Sequence, residues 1–338
     1  MNKINLKNKS ILITGGTGSF GQKFVDSILK NFKQIKKIVI FSRDELKQSE
    51  MIKRFNDKEK IKLRFFIGDI RDKERVKRAL DGIDIVIHAA ALKQVPTAEY
   101  NPFEFIKTNV IGAQNLIEAC LDKNVSNVIA LSTDKAVTPV NLYGATKLCS
   151  DKLFLTANNI VGKRNIKFSV VRYGNVMCSR GSVIPFFLKQ KEKGFLPITH
   201  EKMTRFNISL DEAVDTVLHA IANNVGGEIF IKKSPSYRIL DLASAIAPKC
   251  KIKVVGIREG EKINEELISS SESENVVDVG KFYVVVSHSH SKARKFYFTK
   301  YKKVKNNFSY SSGVNNKFLS IKELHRIINR ETFNSFND

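Results

Sequence analysis

Two short segments in the middle of the chain carry residue types that can move protons. Thr133, Asp134 and Lys135 are consecutive and end an apolar run, and Tyr143 precedes Lys147 by four positions. Residues four apart lie on one face of a helix, so the Lys147 ammonium is expected to lower the pKa of the Tyr143 phenol from about 10. A phenolate near neutral pH can take a proton from a hydroxyl while a hydride leaves the same carbon.

A glycine-rich turn near the start of the chain predicts a phosphate-binding loop. The apolar run at residues 10–14 leads directly into GGTGSFG, in which Gly15, Gly18 and Gly21 are spaced by three. Glycines allow a tight turn and close approach to a pyrophosphate, and the amides of the following helix face the anion. Because the motif lies between a predicted strand and a predicted helix, it indicates a dinucleotide site.

The end of the second apolar run favours NADP over NAD. Ser42 and Arg43 stand there, with Lys47 one turn further on. An acid at this position usually binds the free 2′-hydroxyl of NAD, whereas a hydroxyl and a guanidinium suit the 2′-phosphate of NADP. The alternative is that Arg43 is a solvated surface residue and Asp44 binds the ribose. After the third run, Asp69 could bind the adenine amino group.

The apolar pattern around these motifs predicts the fold that positions them. Near-continuous β-branched runs alternate with helical patterns, which is typical of parallel strands buried on both faces. The sequence therefore predicts an α/β fold with a doubly wound parallel sheet (Rossmann) of about seven strands. The predicted strands are 10–14, 37–41, 62–67, 84–90, 127–132, 167–173 and 228–232, and the predicted helices are 19–32, 99–122, 143–160 and 210–223.

A smaller α/β lobe is predicted to bind the substrate over the strand ends. The alternation weakens after about residue 174 and again after 237, so the dinucleotide-binding domain comprises 1–174 and about 208–236. The lobe comprises about 175–207 and 237–338. Within it, residues 281–310 hold eight Lys/Arg, eight Phe/Tyr and no acid. Binding of single-stranded nucleic acid is one interpretation of that segment; a basic outer strand and loop of the lobe is the preferred one.

Composition excludes several classes of protein. The chain has 338 residues and 42% hydrophobic residues, which is too apolar for a disordered protein. No run approaches the ~20 apolar residues of a membrane-spanning helix, and the first residues show no targeting segment. The four cysteines form no CxxC pair, so they suggest no zinc site. His288 and His290 lack accompanying acids, so we expect them to lie on an exposed strand or loop and to bind no metal.

The net charge of +23 is compatible with an anionic partner or with a generally lysine-rich surface. The basic residues are spread along the chain, which favours the second interpretation. We therefore expect no nucleic-acid or membrane partner. The scattered cysteines, which suggest no disulfide framework, fit a cytoplasmic protein.

Taken in order, the motifs resemble the extended short-chain dehydrogenase/reductase family over nearly the whole chain. The resemblance is carried by TGGTGSFG, GDIRD, HAAALKQVPTAEYNP, LSTDKAVTPVNLYGATKLCSDKLF, VVRYGNV and SRGSVIPFF. The combination is similar to the inverting UDP-N-acetylglucosamine 4,6-dehydratases. The Thr-Asp-Lys triplet distinguishes that group from 4-epimerases, which lack the acid–base pair, and from retaining dehydratases, which resemble Thr-Asp-Glu.

The resemblance implies a mechanism with internal redox chemistry. Tyr143 deprotonates the 4-hydroxyl, and a hydride passes from carbon 4 to NADP. Lys135 removes the carbon 5 proton, provided that burial lowers its pKa towards neutrality, and Asp134 protonates the departing 6-hydroxyl. The hydride returns to carbon 6, and a proton on the opposite face of carbon 5 gives the L-arabino 4-keto product. Thr133 bonds the 4-oxygen, and Lys147 also holds the nicotinamide ribose.

The resemblance also implies the binding residues. NADP, tightly bound and recycled, is expected to contact Thr14, Gly15, Gly18, Ser19, Phe20, Gly21, Ser42, Arg43, Lys47, Asp69, Ile70, Ala89, Ala90, Ala91, Lys93, Asn109, Tyr143, Lys147 and Tyr173. The substrate, UDP-N-acetylglucosamine, is expected to contact Lys93, Asn175, Ser182, Val183, Thr199, Met203, Arg205, Arg258 and Glu261. The arginines suit its diphosphate.

The resemblance leaves alternatives for the biological role. The expected product is the first intermediate of pseudaminic acid for flagellin glycosylation, with N-acetyl-L-fucosamine as the other destination. A UDP-sugar 4-epimerase and a non-catalytic nucleotide- or RNA-binding module are the rival functions. A homo-oligomer, dimer or hexamer, is expected to pack through the helix at 99–122.

Five residues depart from the family pattern: Gln94, Cys178, Asn207, Glu259 and Asn264. Cys178 replaces a glycine, and we expect an unusual backbone angle there that strains a cysteine. Asn207 replaces a tryptophan, and the lost bulk is expected to loosen the lobe.

Overall fold

The computed structural model of the protein describes residues 4–179 and 181–336. Its strands are β1 (Ser10–Thr14), β2 (Lys37–Ser42), β3 (Leu63–Ile67), β4 (Ile85–His88), β5 (Asn127–Thr133), β6 (Lys167–Tyr173), β7 (Asn175–Val176), β8 (Phe195–Ile198), β9 (Thr204–Ile208), β10 (Glu228–Lys232), β11 (Ser236–Arg238), β12 (Lys251–Val254), β13 (Glu266–Ile268), β14 (Val276–Asp278), β15 (Phe282–Val286), β16 (Lys302–Lys303) and β17 (Tyr310–Ser311).

The α-helices lie between these strands. They are α1 (Ser19–Asn31), α2 (Glu45–Lys53), α3 (Asp57–Lys60), α4 (Lys73–Ala79), α5 (Val95–Tyr100), α6 (Pro102–Phe105), α7 (Gly112–Asp122), α8 (Leu142–Thr156), α9 (Val183–Gln190), α10 (Leu210–Asn223), α11 (Ile239–Ile246), α12 (Ser291–Lys300) and α13 (Ile321–Phe336). A π-helical turn at Ile106–Ile111 joins α6 to α7. The helix predicted at 99–122 is therefore interrupted, because Pro102 starts a new helix after Asn101 leaves the helical conformation.

The predicted doubly wound sheet is confirmed. All seven predicted strands are present and parallel, in the order β3-β2-β1-β4-β5-β6-β10. Alternate side chains of β1 enter two different cores, with Leu12 on one side and Ile11 and Ile13 on the other. Burial on both faces explains why these runs are apolar without alternation.

The sheet contains three strands more than the seven predicted. β15, β14 and β16 add three antiparallel strands next to β10, although the sequence assigned 237–338 to the lobe. Val284 and Val286 are fully buried in the sheet core, and Tyr297 of α12 packs against it. β14, β15 and α12 therefore belong to the large sheet and its core rather than to the smaller lobe.

The basic segment is thus the outer part of the large domain. Lys302 and Lys303 form the exposed edge strand, where lysine hinders pairing with a further strand. His290 is buried against Gly227, contrary to the expected exposure. A separate apolar core, built by α9, α11, β8 and α13, holds the smaller lobe together.

Candidate functional site

A cavity of about 1200 Å³ opens at the carboxyl ends of the parallel strands. Its walls include Gly15 after β1, Ser42 at the end of β2, Ala89 after β4, Thr133 at the end of β5 and Tyr173 at the end of β6. Ligands of doubly wound sheets bind at this edge. The smaller lobe supplies the opposite wall, so one cavity can hold two ligands end to end.

The glycine turn leaves the start of α1 open for an anion. Gly18 is the N-cap of α1, no side chain caps it, and its first turn holds no acid. Gly15 has φ +65°, and a Cβ there would lie 2.9 Å from the Cα of Ala90. The backbone therefore turns where only glycine fits, and the helix amides face the cavity. These residues fit the pyrophosphate of a dinucleotide.

At the end of β2, Asp44, the alternative ribose-binding residue, already has partners within the protein. The Asp44 carboxylate accepts the Lys47 amide at 3.0 Å, which caps α2, and lies 2.6 Å from Lys47 Nζ. These contacts lower the pKa of Asp44. Ser42 is buried and its hydroxyl accepts from Gln48 at 2.9 Å. Arg43 is half exposed, 3.6 Å from Asp69.

Three residues expected to contact the cofactor do not line the cavity: Thr14, Asp69 and Asn109. The Thr14 hydroxyl accepts from the two amides that follow β4. Asp69 forms an ion pair with Arg71 at 2.7 Å. The Asn109 amide bonds both backbone groups of Leu92 at 2.9 Å. Each of these three side chains instead hydrogen-bonds backbone groups next to the cavity.

Thr133, Asp134 and Lys135 form a connected cluster at the end of β5. Asp134 is fully buried in a 3₁₀ turn, Asp134–Ala136. Its Oδ1 accepts from the Thr133 hydroxyl at 2.9 Å and from Lys135 Nζ at 3.0 Å. Its Oδ2 has no hydrogen-bond partner among the residues described. Asn175 Oδ1 lies 3.4 Å from Lys135 Nζ.

Helix α8 brings Tyr143 and Lys147 against this turn. Asn141 caps the helix by accepting the Gly144 amide at 2.8 Å, and a Cβ at Gly144 would collide with the Lys135 carbonyl. The Tyr143 hydroxyl lies close enough to the Thr133 hydroxyl to interact with it. Lys147 Nζ donates to the Leu131 carbonyl at 2.8 Å. The sequence-predicted catalytic residues are therefore brought together.

The expected lowering of the Tyr143 pKa is not found. Burial raises the pKa of Tyr143 to about 12, opposed by the Lys135 ammonium and the Thr133 hydrogen bond. Lys147 is itself deeply buried, and burial lowers its pKa. In the unliganded chain, Lys135 is thus the cation that acts on the phenol.

The expected lowering of the Lys135 pKa is also wrong. Burial acts in that direction, but the attraction of Asp134 and Glu265 outweighs it and raises the pKa. Glu265 Oε1 lies 3.4 Å from Lys135 Nζ. Lys135 is consequently an ammonium ion in the unliganded site.

The lobe presents two arginines to the cavity. Arg205 on β9 is buried, and its Nη1 donates to the carbonyls of Thr204 and Ile263 at 2.7 and 3.0 Å. Arg258 is 60% exposed and lies 3.8 Å from Glu261. One arginine is therefore fixed and the other is accessible to a ligand.

The other predicted binding residues line the same cavity. They are Gly18, Ser19, Phe20, Gly21, Lys47, Ile70, Ala90, Ala91, Lys93, Ser182, Val183, Thr199 and Met203.

The five departures separate into two groups. Gln94 and Glu259 line the cavity, whereas Cys178, Asn207 and Asn264 do not. Asn264 instead accepts from the Thr204 hydroxyl at 2.7 Å. Cys178 has φ +55°, which confirms the unusual backbone angle expected there.

Sequence reasoning missed two acids of this site, Glu265 and Asp151. Asp151 lies one turn beyond Lys147 on α8 and accepts from Ser132 at 2.6 Å; its four-residue spacing from Lys147 was a usable signal. Glu265 lies in an acid-rich run, GEKINEE, that gives no sign of burial.

Across the described residues, no group of three His, Cys, Asp or Glu side chains is arranged to hold a metal ion. No helix in the described ranges is both long and apolar enough to span a membrane.

A parallel sheet, an open glycine turn and a Tyr-x-x-x-Lys helix define a dinucleotide-binding site of the short-chain dehydrogenase/reductase type. A family model described as "Polysaccharide biosynthesis protein" matches residues 11–287, and the chain belongs to this family. A UDP-N-acetylglucosamine 4,6-dehydratase (inverting) from Campylobacter jejuni is 53% identical over 95% of this chain and 97% of its own length. A UDP-glucose 4-epimerase from Rickettsia prowazekii is 43% identical over 95% of both chains.

Solved structures show the same architecture. Pen from Bacillus thuringiensis has a TM-score of 0.89 at 36% identity, covering 97% of this chain and 99% of that chain. DesIV, a dTDP-glucose 4,6-dehydratase from Streptomyces venezuelae with NAD bound, has a TM-score of 0.67 at 22% identity, covering 75% of this chain and 86% of that chain. The second likeness supports the fold alone.

Proposed function

We propose that the chain is an NADP-dependent UDP-N-acetylglucosamine 4,6-dehydratase that inverts carbon 5. The observation that carries this proposal is the pairing of buried Asp134 with part-buried Lys135 beside Tyr143. It lies in a cavity that joins the glycine turn to Arg205 and Arg258. The dehydratase relative from Campylobacter jejuni supports the same activity.

The glycine turn and Lys147 would hold the dinucleotide, which would supply the hydride chemistry at carbons 4 and 6 of the sugar. Tyr143 takes the proton of the 4-hydroxyl. Its raised pKa in the unliganded site means that the phenolate needs nearby positive charge, which Lys135 supplies on one side. Thr133, close to the phenol, is placed to bind the 4-oxygen as well.

Asp134 and Lys135 share one proton for the elimination. Lys135 Nζ lies 3.0 Å from Asp134 Oδ1, so a proton can pass directly from the ammonium to the carboxylate. The transfer creates the amine and the carboxylic acid together. The amine then takes the carbon 5 proton, a double bond forms between carbons 5 and 6, and the 6-hydroxyl leaves as water with the Asp134 proton. The pair ends as ammonium and carboxylate.

A 4-epimerase is the second candidate, because the Rickettsia relative carries that name. Epimerisation moves a hydride and a hydroxyl proton at carbon 4 and needs no acid for a leaving group at carbon 6. The Asp134–Lys135 pair would then have no chemical task. The geometry therefore favours the dehydratase.

The deciding experiment is NMR of the purified protein with UDP-N-acetylglucosamine in deuterated water, without added cofactor. We expect a 6-deoxy-4-keto product of L-arabino configuration with deuterium at carbon 5. UDP-N-acetylgalactosamine would establish the epimerase, and a D-xylo product would refute inversion. The variant Asp134→Asn, which keeps the shape of the side chain, is expected to stop dehydration.

Several finer assignments belong to the same proposal. Arg43, Lys47 and Ser42 support NADP, since Asp44 is committed to its cap. We place the product at the start of pseudaminic acid biosynthesis in the cytoplasm. We also propose a homo-oligomer that packs through residues 99–122, where Tyr100, Phe103 and Ile111 are all exposed. Sedimentation velocity tests the oligomer, and analysis of the copurified nucleotide tests the cofactor.

A further inference from the structure

Glu265 is a buried carboxylate without a role in the mechanism described above. It is 3% exposed and lines the cavity just before β13. Its backbone is fixed by Ser312, whose hydroxyl accepts the Glu265 amide at 2.9 Å and whose amide donates to the Glu265 carbonyl at 2.8 Å. Its Oε2 has no hydrogen-bond partner among the described residues. A buried carboxylate is costly unless it is paired with a cation.

Two cations face this carboxylate. Oε1 lies 3.4 Å from Lys135 Nζ and 3.9 Å from Arg205 Nε. Lys135 is therefore held between two buried carboxylates, because Asp134 Oδ1 lies 3.0 Å away on its other side. The cluster of Asp134, Lys135, Arg205 and Glu265 contains two positive and two negative charges.

We propose that Glu265 is a positioning residue that holds Lys135 against Asp134 and retains the single proton that this pair uses. The catalytic consequence rests on the proposed function. If the pair lost its proton, Asp134 could not protonate the leaving group, and elimination would stop. Glu265 thereby extends activity to higher pH.

The other groups around Lys135 act in known directions. Asp134 and Glu265 raise the pKa of Lys135, whereas Arg205 and burial lower it. Lys93 is also near Lys135: burial, and then the Lys135 ammonium, lower the pKa of Lys93. The phenols of Tyr143 and Tyr237 lie close enough to interact with Lys135. Glu265 is thus one of two carboxylates whose effect on the Lys135 pKa opposes that of burial and Arg205.

Competitive labelling of lysines with acetic anhydride across pH, read by mass spectrometry, tests the proposal without substrate. Lys135 is 25% exposed, so the small reagent reaches it from the cavity. In Glu265→Gln, we expect the rate of Lys135 labelling at about pH 9 to rise by about 10- to 1000-fold, because losing an opposite charge at this distance lowers the lysine pKa by about 1–3 units. An unchanged labelling rate would overturn the proposal.

Glu266→Gln is the matched control. It removes the same charge from the neighbouring residue, whose carboxylate accepts from Thr138 at 2.8 Å instead of contacting Lys135. We expect the wild-type labelling rate for it. Glu265→Asp keeps the charge but withdraws it from Lys135, so a smaller rise in the labelling rate is expected; this variant also decides the matter if Glu265→Gln does not fold.

The kinetic counterpart separates this proposal from the proposed function. In a dehydratase, the alkaline limb of the pH–kcat profile of Glu265→Gln moves to lower pH by the decrease in lysine pKa that the labelling rates give. Faster labelling in a protein that performs no dehydration would refute the proposed function and leave the role of Glu265 standing. A normal alkaline limb together with normal labelling would refute the role of Glu265.

Discussion

Replacing Lys135 by methionine should destabilise the protein in a pH-dependent way. The change leaves the carboxylates of Asp134 and Glu265, which are 0% and 4% exposed, without their shared cation. Removing one partner of a buried ion pair costs about 3–5 kcal/mol. An unfolding entropy of about 2.1 cal/mol/K per residue over 338 residues gives about 0.7 kcal/mol/K. The expected decrease in Tm is therefore about 4–7 °C at about pH 8.

The sign of the pH dependence follows from the two carboxylates. Burying a negative charge that has lost its cation is costly, and protonation at low pH removes that charge. The stability that protonation supplies is present at low pH and is lost as pH rises. The Tm difference between wild type and Lys135→Met should therefore shrink when the pH is lowered to about 5. Differential scanning fluorimetry across pH measures it.

Lys77→Met is the matched control for this measurement. Lys77 is 27% exposed, close to the 25% of Lys135, but its partner Asp122 is 49% exposed. A surface pair contributes about 0–1 kcal/mol, so we expect a Tm within about 1.5 °C of wild type at each pH. A Lys135→Met protein as stable as wild type, or one whose deficit does not vary with pH, would refute the charge cluster.

Three further predictions concern single positions. Tyr143→Phe should lower turnover by about 10²–10⁴-fold while the absorbance of bound dinucleotide stays unchanged; a variant that also loses its nucleotide would contradict a purely chemical role. Arg43→Ala should weaken NADP binding by about 10–100-fold and leave NAD binding unaltered, as calorimetry on nucleotide-free protein would show; equal losses for both would exclude a 2′-phosphate contact. Cys178→Gly should be about 1 kcal/mol more stable to urea than Cys178→Ala, because only glycine relieves the left-handed backbone; the reverse order would refute strain.

The parallel half of the sheet could be predicted because its signals are local. Each strand is a short apolar run that ends at a polar or glycine-containing turn, and burial on both faces leaves a continuous pattern in the sequence. The glycine turn could be predicted for the same reason, since Gly15 and Gly18 lie within one motif. The left-handed angle at Cys178 followed from the glycine that the family pattern has there.

What could not be predicted depends on pairing between distant segments. The run FYVVV at 282–286 shows that a strand is present but not which strand it joins, and its antiparallel pairing with β10 places it in the large sheet. The direction of the Lys135 pKa shift could not be predicted for the same reason. Burial of a lysine could be anticipated from its position, whereas the opposing carboxylate of Glu265 comes from a segment far along the chain.

The late segment of the chain therefore contributes to the chemistry as well as to the lobe. It delivers Glu265 to the lysine at the end of β5, and Glu272 to Arg172 of β6 at 3.1 Å. Arg172 lies 3.6 Å from Asp151, which in turn accepts from Ser132 immediately before the Thr-Asp-Lys turn. Each of these charges is costly to bury alone. Folding of residues 265–272 over these strand ends consequently lowers the cost of burying their charges, which couples the folding of this late segment to assembly of the active site.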